Sequence, residues 1–474
     1  MVTPPLTVMP GEHLRQATRS YVEAAFKRIR EHVQPRLEVS DGDWEWVRAS
    51  AQAFRLQPKM RLWWQGWAAV HSEAFEGLPE RAPLVACLMA DPEISPLLNQ
   101  SIGTAMTSHH VEERHVTDRL IWEVGSRSGA GEFDLAGFDE AYDAWNAELR
   151  GQRISHVAVA PLWGFEMNDT ALKLDGAAVI ERLGDEEIAR LLSVGIEPAP
   201  RTLVRPASHL AFLPNQIFAL RIIRESERII GGTLATPKAT SSWAETNDTF
   251  EDVLIALRLF KQGRVAAPGF AEYYASWPLQ GSTALGPLRD FPPPTPQGFG
   301  YSLSADDPRD FQTFFASYRK AKHVAAAALA FRRFAYASDR YRPEDQIIDL
   351  MIAAEALFLP AQSDELSYRL SLRGAHFLQS EATDRLAMFR FLKRAYRVRS
   401  GIAHGSRLDR KLLLFLDGSP CETLQAFSHE LERVLRLAMR KAVDRISTHG
   451  AFFGDDDWDA LVVGAGLNDR FVGE

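Results

Sequence analysis

The chain has 474 residues and a mass of 53.1 kDa, of which 46% are hydrophobic and 24% charged. This is a globular composition, which excludes wholesale disorder and fibrous structure, and the length predicts roughly two to four domains. The longest apolar run, from Val324 to Phe331, is far shorter than the about 20 residues of a spanning helix. Only two cysteines are present and no signal-peptide pattern opens the chain, so we expect a cytoplasmic protein without a disulfide framework or a membrane segment.

Charge is unevenly distributed, although the formal net charge is −8. Residues 311–450 contain 23 Lys and Arg against 15 Asp and Glu, whereas residues 451–474 contain 1 against 6. A basic C-terminal module on an acidic body is typical of a chain whose anionic partner binds at one end. Solvated charged faces are the simpler explanation of the same imbalance.

The first 150 residues predict a helical region, because apolar residues recur at helical spacing from Leu14 to Ile29. Six of the 11 tryptophans lie at or before Trp122, among them Trp44, Trp46, Trp63, Trp64 and Trp67. Tryptophans can stack on nucleic-acid bases, but such a cluster more often forms the core of a helical domain, which is our interpretation.

The apolar period changes near residue 152. Short alternating runs between Pro, Gly and Asp predict strands of a small mixed α/β element, followed by a helix from about Asn247 to Gly263. The Pro and Gly residues of 278–300 predict a linker. Beyond it, we predict helices near 309–340, 343–359, 364–379, 384–403 and 420–447.

The predicted fold class is mainly α-helical, and α+β overall. Its expected parts are a helical N-terminal region (1–150), a mixed α/β region with a linker (151–300), a helical bundle (301–450) and an acidic C-terminal tail (451–474). Pro343 suits the first turn of a helix and Pro360 a stop.

Motifs of several enzyme classes are absent from the sequence: the P-loop, the GxGxxG dinucleotide motif, the GxSxG elbow and the HExxH zinc motif. One metal-like cluster lies between His109 and His115. It contains a single Glu-x-x-His pair, Glu112 and His115, whereas di-metal bundles need two such pairs. We interpret the cluster as a solvated helix face and expect neither a metal nor a cofactor.

Segment 384–407 carries the strongest functional signal. On a helix, an apolar face from Met388 to Ile402 lies opposite a ridge of arginines, and Arg399 projects from the apolar side, where its guanidinium needs an anionic partner or a second subunit. The candidate RNA-binding residues are Arg390, Arg394, Arg397 and Arg407.

Arg399 and His404 together can cleave RNA without a metal. The imidazole moves the proton of the ribose 2′-hydroxyl, and the guanidinium holds the phosphate that this hydroxyl attacks. Five residues along a regular helix are about 140° apart, so one straight helix cannot aim both at one substrate. Gly401 and Gly405 could end or bend the helix, or two chains could pool their motifs across a twofold interface.

The surroundings of this pair make the pattern specific. FRRFAYASDRYRPEDQIIDLMIAAEALFL, DELSYRLSLRGAHFL and FLKRAYRVRSGIAHG resemble the Apea-like branch of the HEPN family over about residues 311–450. The resemblance implies a helical bundle that is commonly dimeric. It also implies a metal-independent ribonuclease site made by Arg399 and His404, with Ser400 as the polar residue after the arginine.

Many HEPN proteins act as toxins or in anti-phage defence, so the resemblance implies RNA as a partner, a homodimer, and a sensing or regulatory role for the N-terminal region. The trigger is unknown. Some HEPN toxins carry a Tyr two residues after the His, whereas Ser406 stands here, so regulation by a partner nucleotidyltransferase is not implied. The alternative is a non-catalytic HEPN module that binds nucleic acid or protein.

Glu355 shares an apolar stripe with Ile348, Ile352 and Leu359, and a carboxylate in such a place needs a cationic partner. We expect a structural ion pair with Arg369 or Arg373 on the following helix. A catalytic acid is the alternative interpretation.

Overall fold

A computed structural model describes most of the chain. The described residues are 10–32, 38–50, 53–61, 73–104, 108–128, 133–174, 178–185, 187–188, 218–231, 239–267, 269–279, 283–287, 300–359, 365–407 and 409–464. Helices dominate, accompanied by a few sheets, so the predicted mainly α-helical α+β class is confirmed. No helix in this part of the chain is long and apolar enough to cross a membrane.

The N-terminal part combines helices with two small antiparallel pairings. Its helices are α1 (Pro10–His32), α2 (Glu73–Glu76), α3 (Arg81–Ala90), α4 (Glu113–Ser128) and α5 (Leu135–Arg150). Its strands are β1 (Glu38–Ser50), β2 (Ala53–Arg61), β3 (Gln100–Gly103) and β4 (Ser108–Val111). Leu14, Tyr21 and Ile29 are buried, as the helical spacing predicts.

The β1–β2 hairpin is a correction to the mostly helical region expected here, since no strand was expected before residue 150. Trp44 and Trp46 alternate with charged residues on β1, a period of two that favours a strand over a helix. Trp63, Trp64 and Trp67 lie outside the described residues.

An antiparallel sheet occupies the middle of the chain in the order β12-β11-β5-β9-β8-β7. The strands of this region are β5 (Arg153–Pro161), β6 (Phe165–Met167), β7 (Ala171–Lys173), β8 (Ala178–Arg182), β9 (Phe218–Glu227), β10 (Ile229–Ile230), β11 (Gly269–Tyr274), β12 (Thr283–Pro287) and β13 (Tyr301–Leu303). Helix α6 (Ala239–Phe260) shares a core with this sheet and begins before the predicted Asn247. The expected linker includes β12.

The bundle follows. Its helices are α7 (Asp307–Ala321), α8 (Ala325–Ala337), α9 (Pro343–Phe358), α10 (Leu366–Leu378), α11 (Ala382–Ala403) and α12 (Leu424–His449), and α13 (Asp455–Val463) packs beside them. The single helix expected over 309–340 is two helices, because the backbone is extended at Val324. Pro343 begins α9 as predicted, and Pro360 lies outside the described residues.

One apolar core joins the sheet to the bundle, so the boundary expected near residue 300 does not separate two cores. Two arginines of α12 donate to the last carbonyls of α6, Arg436 to Arg258 at 3.0 Å and Arg440 to Phe260 at 2.8 Å. Arg258 itself is 1% exposed and pairs with Asp339, just after α8, at 2.5 Å. Cations at a helix C-terminus offset its partial negative charge, and here they tie the two parts together.

The described part of the expected acidic tail is a packed element. Trp458 of α13 is fully buried, and its ring contacts Phe377 and Phe453 at centroid distances of 5.8 and 4.6 Å. The acidic residues Asp455, Asp456 and Asp457 occupy the first turn of α13, where they suit the helix dipole.

Candidate functional site

Helix α11 carries the candidate residues and buries the face that the sequence predicts. Its completely or almost completely buried side chains are Met388, Phe391, Leu392, Ala395 and Val398. The helix packs against α9 and α10. Gly374 of α10 allows α11 to approach closely, since a Cβ at Gly374 would lie 2.5 Å from the Cδ1 atom of Leu392 on α11.

The C-terminus of α11 positions His404. Gly405 has a φ of +63°, the left-handed conformation that glycine adopts without strain. The amides of Gly405 and Ser406 donate to the carbonyls of Ile402 (3.1 Å) and Gly401 (2.9 Å), which is a Schellman motif. The helix therefore ends just before Gly405, one of the two glycines that the sequence offered for its end, while Gly401 lies within it. His404 is the capping residue and is exposed.

Arg399 projects from the buried side of α11 toward α9. Its Nη2 atom lies 3.7 Å from Oε2 of Glu355, and the two side chains are 27% and 24% exposed. The Nε atom of Arg399 is buried and has no hydrogen-bond partner. The guanidinium thus has one long ion-pair contact and retains donors for another anion.

The expected pairing of Glu355 with Arg369 or Arg373 is corrected. Arg373 donates to the carbonyl of Phe358 at 3.1 Å and to Asp455 at 3.3 Å, so it links α10 to α13. Within the residues that the structure describes, no ion pair joins Glu355 to Arg369 either. Glu355 instead faces α11, because α10 and α11 both pack on α9 and their relative rotation decides which arginine it meets.

Burial and neighbouring charges change the proton affinity of this cluster. Burial raises the pKa of the Glu355 carboxyl above its ordinary value of 4.5, and the Arg399 charge offsets part of that rise. Burial and the Glu355 charge raise the pKa of the Tyr396 hydroxyl, and Arg399 again acts in the opposite direction. Tyr396, one turn before Arg399, therefore belongs to the same electrostatic cluster.

Three of the four candidate RNA-binding arginines are exposed: Arg390, Arg397 and Arg407. Arg394 is a correction, because its Nη2 atom donates to the carbonyl of Phe415 at 3.1 Å. Burial, and to a smaller extent the Arg390 charge, lower its pKa. It supports the segment after α11 and is not a free cation of the ridge.

Arg399 and His404 point in different directions within one chain. Helix α11 continues to Ala403, so the about 140° separation that regular helical geometry predicts applies to the pair. Ser400 lies on the arc between them, is partly exposed, and accepts the His404 amide at 3.1 Å through its carbonyl. A single chain therefore does not bring the guanidinium and the imidazole together on one side of α11.

An open groove beside this cluster was not predicted from the sequence. It has a volume of about 570 Å³ and lies between the start of α10 and the middle of α11. Its lining residues are Glu365, Leu366, Ser367, Tyr368, Lys393 and Tyr396. The one available signal was Tyr396, which lies on the flank of the apolar face and one turn before Arg399.

Part of the His109–His115 cluster is engaged in ordinary structural contacts. Glu113 pairs with Arg81 at 2.8 Å, and the amide of Glu112 donates to Nδ1 of His115 at 3.2 Å. His109 and His110 lie on β4 and not on a helix. Across the described residues there is no group of three or more potential ligands placed to hold a metal.

Comparison of the chain with models of protein families, with curated proteins and with solved structures gives no match. A function for this site must therefore follow from its own residues and their geometry. The features available are one partly buried guanidinium, one exposed imidazole, exposed arginines on the same helix and the groove.

Proposed function

We propose that the chain is a metal-independent HEPN-type ribonuclease that cleaves RNA through Arg399 and His404. The observation that carries the proposal is the end of α11, where a Schellman motif holds an exposed His404 while Arg399 keeps unused donors five residues before it. Exposed Arg390 and Arg397 on the same helix suit a polyanionic substrate. The RNA target and the trigger are not specified by these residues.

The proposed reaction is a transesterification. The ribose O2′ forms a bond to the adjacent phosphorus, and the bond from phosphorus to O5′ breaks. His404 takes the proton of the 2′-hydroxyl and returns a proton to the leaving 5′ oxygen. Arg399 stabilises the negative charge that develops on the phosphorane oxygens. The products are a 2′,3′-cyclic phosphate and a 5′-hydroxyl.

A second copy of the chain would complete this site. Because Arg399 and His404 diverge within one α11, we infer that two α11 helices face each other and that each substrate meets the arginine of one copy and the histidine of the other. The N-terminal region would then restrain or trigger the pair, as in a toxin or an anti-phage effector. Ser400, the polar residue after Arg399, would contact the same phosphate.

The test is cleavage of single-stranded RNA by the full chain in the presence of EDTA. We expect cleavage to continue, DNA to remain intact and the products to end in a cyclic phosphate. His404→Ala should lower the rate by about 10²- to 10⁴-fold with little change in RNA affinity. Arg399→Ala should weaken both cleavage and binding, because the guanidinium also contacts the phosphate of the bound substrate.

His323→Ala is the matched control, since His323 is exposed in the turn between α7 and α8, away from α11. Activity that disappears in EDTA, or that survives in His404→Ala, would rule out this mechanism. In cells, expression of the chain should degrade RNA and slow growth, and His404→Ala should relieve both effects.

The Glu355–Arg399 contact favours a second candidate, a non-catalytic module that binds nucleic acid or protein. In that case Arg399 acts only as a structural partner of Glu355, and His404 has no proton to transfer. The His404→Ala variant separates the two candidates, because a binding module keeps its affinity and never produces a cyclic phosphate.

A further inference from the structure

The groove between α10 and α11 has the surface chemistry of a nucleobase site. Tyr368 is 49% exposed, and its ring meets Phe389 in a T-shaped contact with centroids 5.7 Å apart and an interplanar angle of 77°. Such a contact uses at most one face of a ring, so it holds Tyr368 while leaving aromatic surface open. Tyr396 lines the opposite side of the groove.

The charges of the groove favour a base over a phosphate. Lys393 lies with its Nζ atom 5.6 Å from the centre of the Phe389 ring, at the α11 side. Glu365, at the α10 side, carries a carboxylate that repels a phosphate but accepts hydrogen bonds from the amino group of a base. A base in the groove would therefore have its neighbouring phosphate on the Lys393 side.

The groove is next to the residues of the proposed reaction. Tyr396 lines the groove and lies three residues before Arg399 on α11, so the two side chains are neighbours on the helix surface. With about 100° of helix rotation for each residue, Tyr396, Ser400 and Lys393 all lie on the arc of α11 between Arg399 and His404. A nucleotide in the groove would thus hold an adjoining phosphate near Arg399 of the same chain, and the proposed second copy would supply the histidine to that phosphate.

We propose that this groove binds one base of single-stranded RNA next to the scissile phosphate, stacked on Tyr368 and Tyr396, with Lys393 on the adjoining phosphate. This inference rests on the proposed ribonuclease function. A duplex does not satisfy it, because a paired and stacked base cannot enter between two tyrosines.

The test measures binding without cleavage. The full-length chain is titrated with a fluorescent single-stranded oligonucleotide that carries 2′-O-methyl groups, so attack by a 2′-hydroxyl is blocked. We expect Tyr368→Ala or Tyr396→Ala to weaken binding by about five- to a hundredfold, the effect of losing one stacked base, and Tyr396→Phe to bind normally. Tyr341→Ala is the matched control, because Tyr341 is 80% exposed and lies outside the groove.

Single abasic positions in the same oligonucleotide locate the base. One position should cause a loss comparable to that of Tyr368→Ala, and in the Tyr368→Ala variant the same abasic position should cause no further loss. Equal binding by the two alanine variants and the Tyr341→Ala control would overturn the inference, as would failure of the chain to bind. So would alanine variants that lose a dimer in light scattering but keep their RNA affinity, since a second copy would then occupy the groove.

The two proposals fail separately. If the stacking pattern is found but unmodified RNA is never cleaved, the groove inference stands and the ribonuclease function is wrong. If unmodified RNA is cleaved and Tyr368→Ala and Tyr396→Ala leave both binding and cleavage unchanged, the ribonuclease function stands and the groove inference is wrong.

Discussion

Glu355 determines how much of Arg399 is available to a substrate. The two side chains are each about one quarter exposed and 3.7 Å apart, so water screens their attraction and the contact is weaker than a buried hydrogen-bonded pair. Burial disfavours the carboxylate, whereas Arg399 favours it, and the balance leaves the pKa of Glu355 raised. A phosphate that binds Arg399 competes with the Glu355 carboxylate, whose charged form is already disfavoured by burial.

This balance predicts a pH dependence of stability. Because the folded pKa of Glu355 lies above its ordinary 4.5, its favourable contribution is complete below that value and is lost as the pH rises through the folded pKa. The unfolding free energy of the parent minus that of Glu355→Gln should therefore fall as the pH rises from the ordinary 4.5 through the raised folded pKa, as urea titrations at a series of pH values can measure.

In an Arg399→Gln background the fall should be steeper, since the one charge that lowers the Glu355 pKa is gone. A difference that is constant with pH, or that grows in favour of the parent toward neutral pH, would contradict the burial argument.

At the scale of the element, α11 was predicted well because every local signal agrees. The expected 384–403 matches the observed Ala382–Ala403, since an uninterrupted apolar period ends at a glycine that can adopt a positive φ. The predicted partner of Glu355 was wrong, because the rotation of α10 against α11 depends on contacts such as that between Gly374 and Leu392. The spacing of apolar residues along one helix carries no information about such contacts. Arg394 was misassigned for a similar reason, since its acceptor is a loop carbonyl.

The local sequence pattern also failed to predict two other features, the break between α7 and α8 and the β1–β2 hairpin. The helix expected over 309–340 divides at residues 322–324, and Tyr318 and Phe331 pack against each other across that turn with ring centroids 5.8 Å apart. The hairpin formed by β1 and β2 is weakly signalled in the sequence, because the alternation around Trp44 and Trp46 spans only a few residues of a tryptophan-rich region. Local pattern predicted which elements exist, and long-range packing decided their breaks and partners.

The two glycines near the end of α11 make a matched pair for a stability test. Gly405→Ala forces a side chain into the left-handed conformation and should destabilise the fold by about 1–2 kcal/mol. Gly401→Ala lies within the helix, where an added Cβ meets no atom within 4 Å, and should stabilise by about 0.5–1 kcal/mol. Denaturant titrations of both variants measure whether the free energy of unfolding falls in Gly405→Ala and rises in Gly401→Ala.

Gly405→Asn provides a further control, since asparagine adopts positive φ more readily than alanine and should lose less. If both alanine variants changed stability in the same direction, the Schellman end of α11 would not be the feature that holds this segment.

At the scale of the molecule, the basic bundle and the sheet share one core. Arginines of α12 in the bundle also donate hydrogen bonds to carbonyls at the end of α6. The outward face of α11 carries Leu386, which is 48% exposed, beside the exposed Arg390 and Arg397. Bringing two such faces together buries the leucines but also opposes like charges. Salt or an anionic strand between the copies would relieve that repulsion.

The last prediction is therefore a homodimer through α11 whose stability increases with ionic strength. Light scattering at micromolar concentration should give twice the chain mass, and moderate salt should favour the dimer further as the arginines are screened. Leu386→Asp should produce a monomer, because it places a carboxylate on the surface that the dimer buries. Leu329→Asp is the matched control, since Leu329 of α8 is 41% exposed and is not on α11.

A monomeric parent chain, dissociation by Leu329→Asp but not by Leu386→Asp, or a dimer held only by residues 1–300 would each contradict the arrangement. Because the proposed site needs Arg399 of one copy and His404 of the other, mixing inactive Arg399→Ala and His404→Ala chains should restore part of the cleavage.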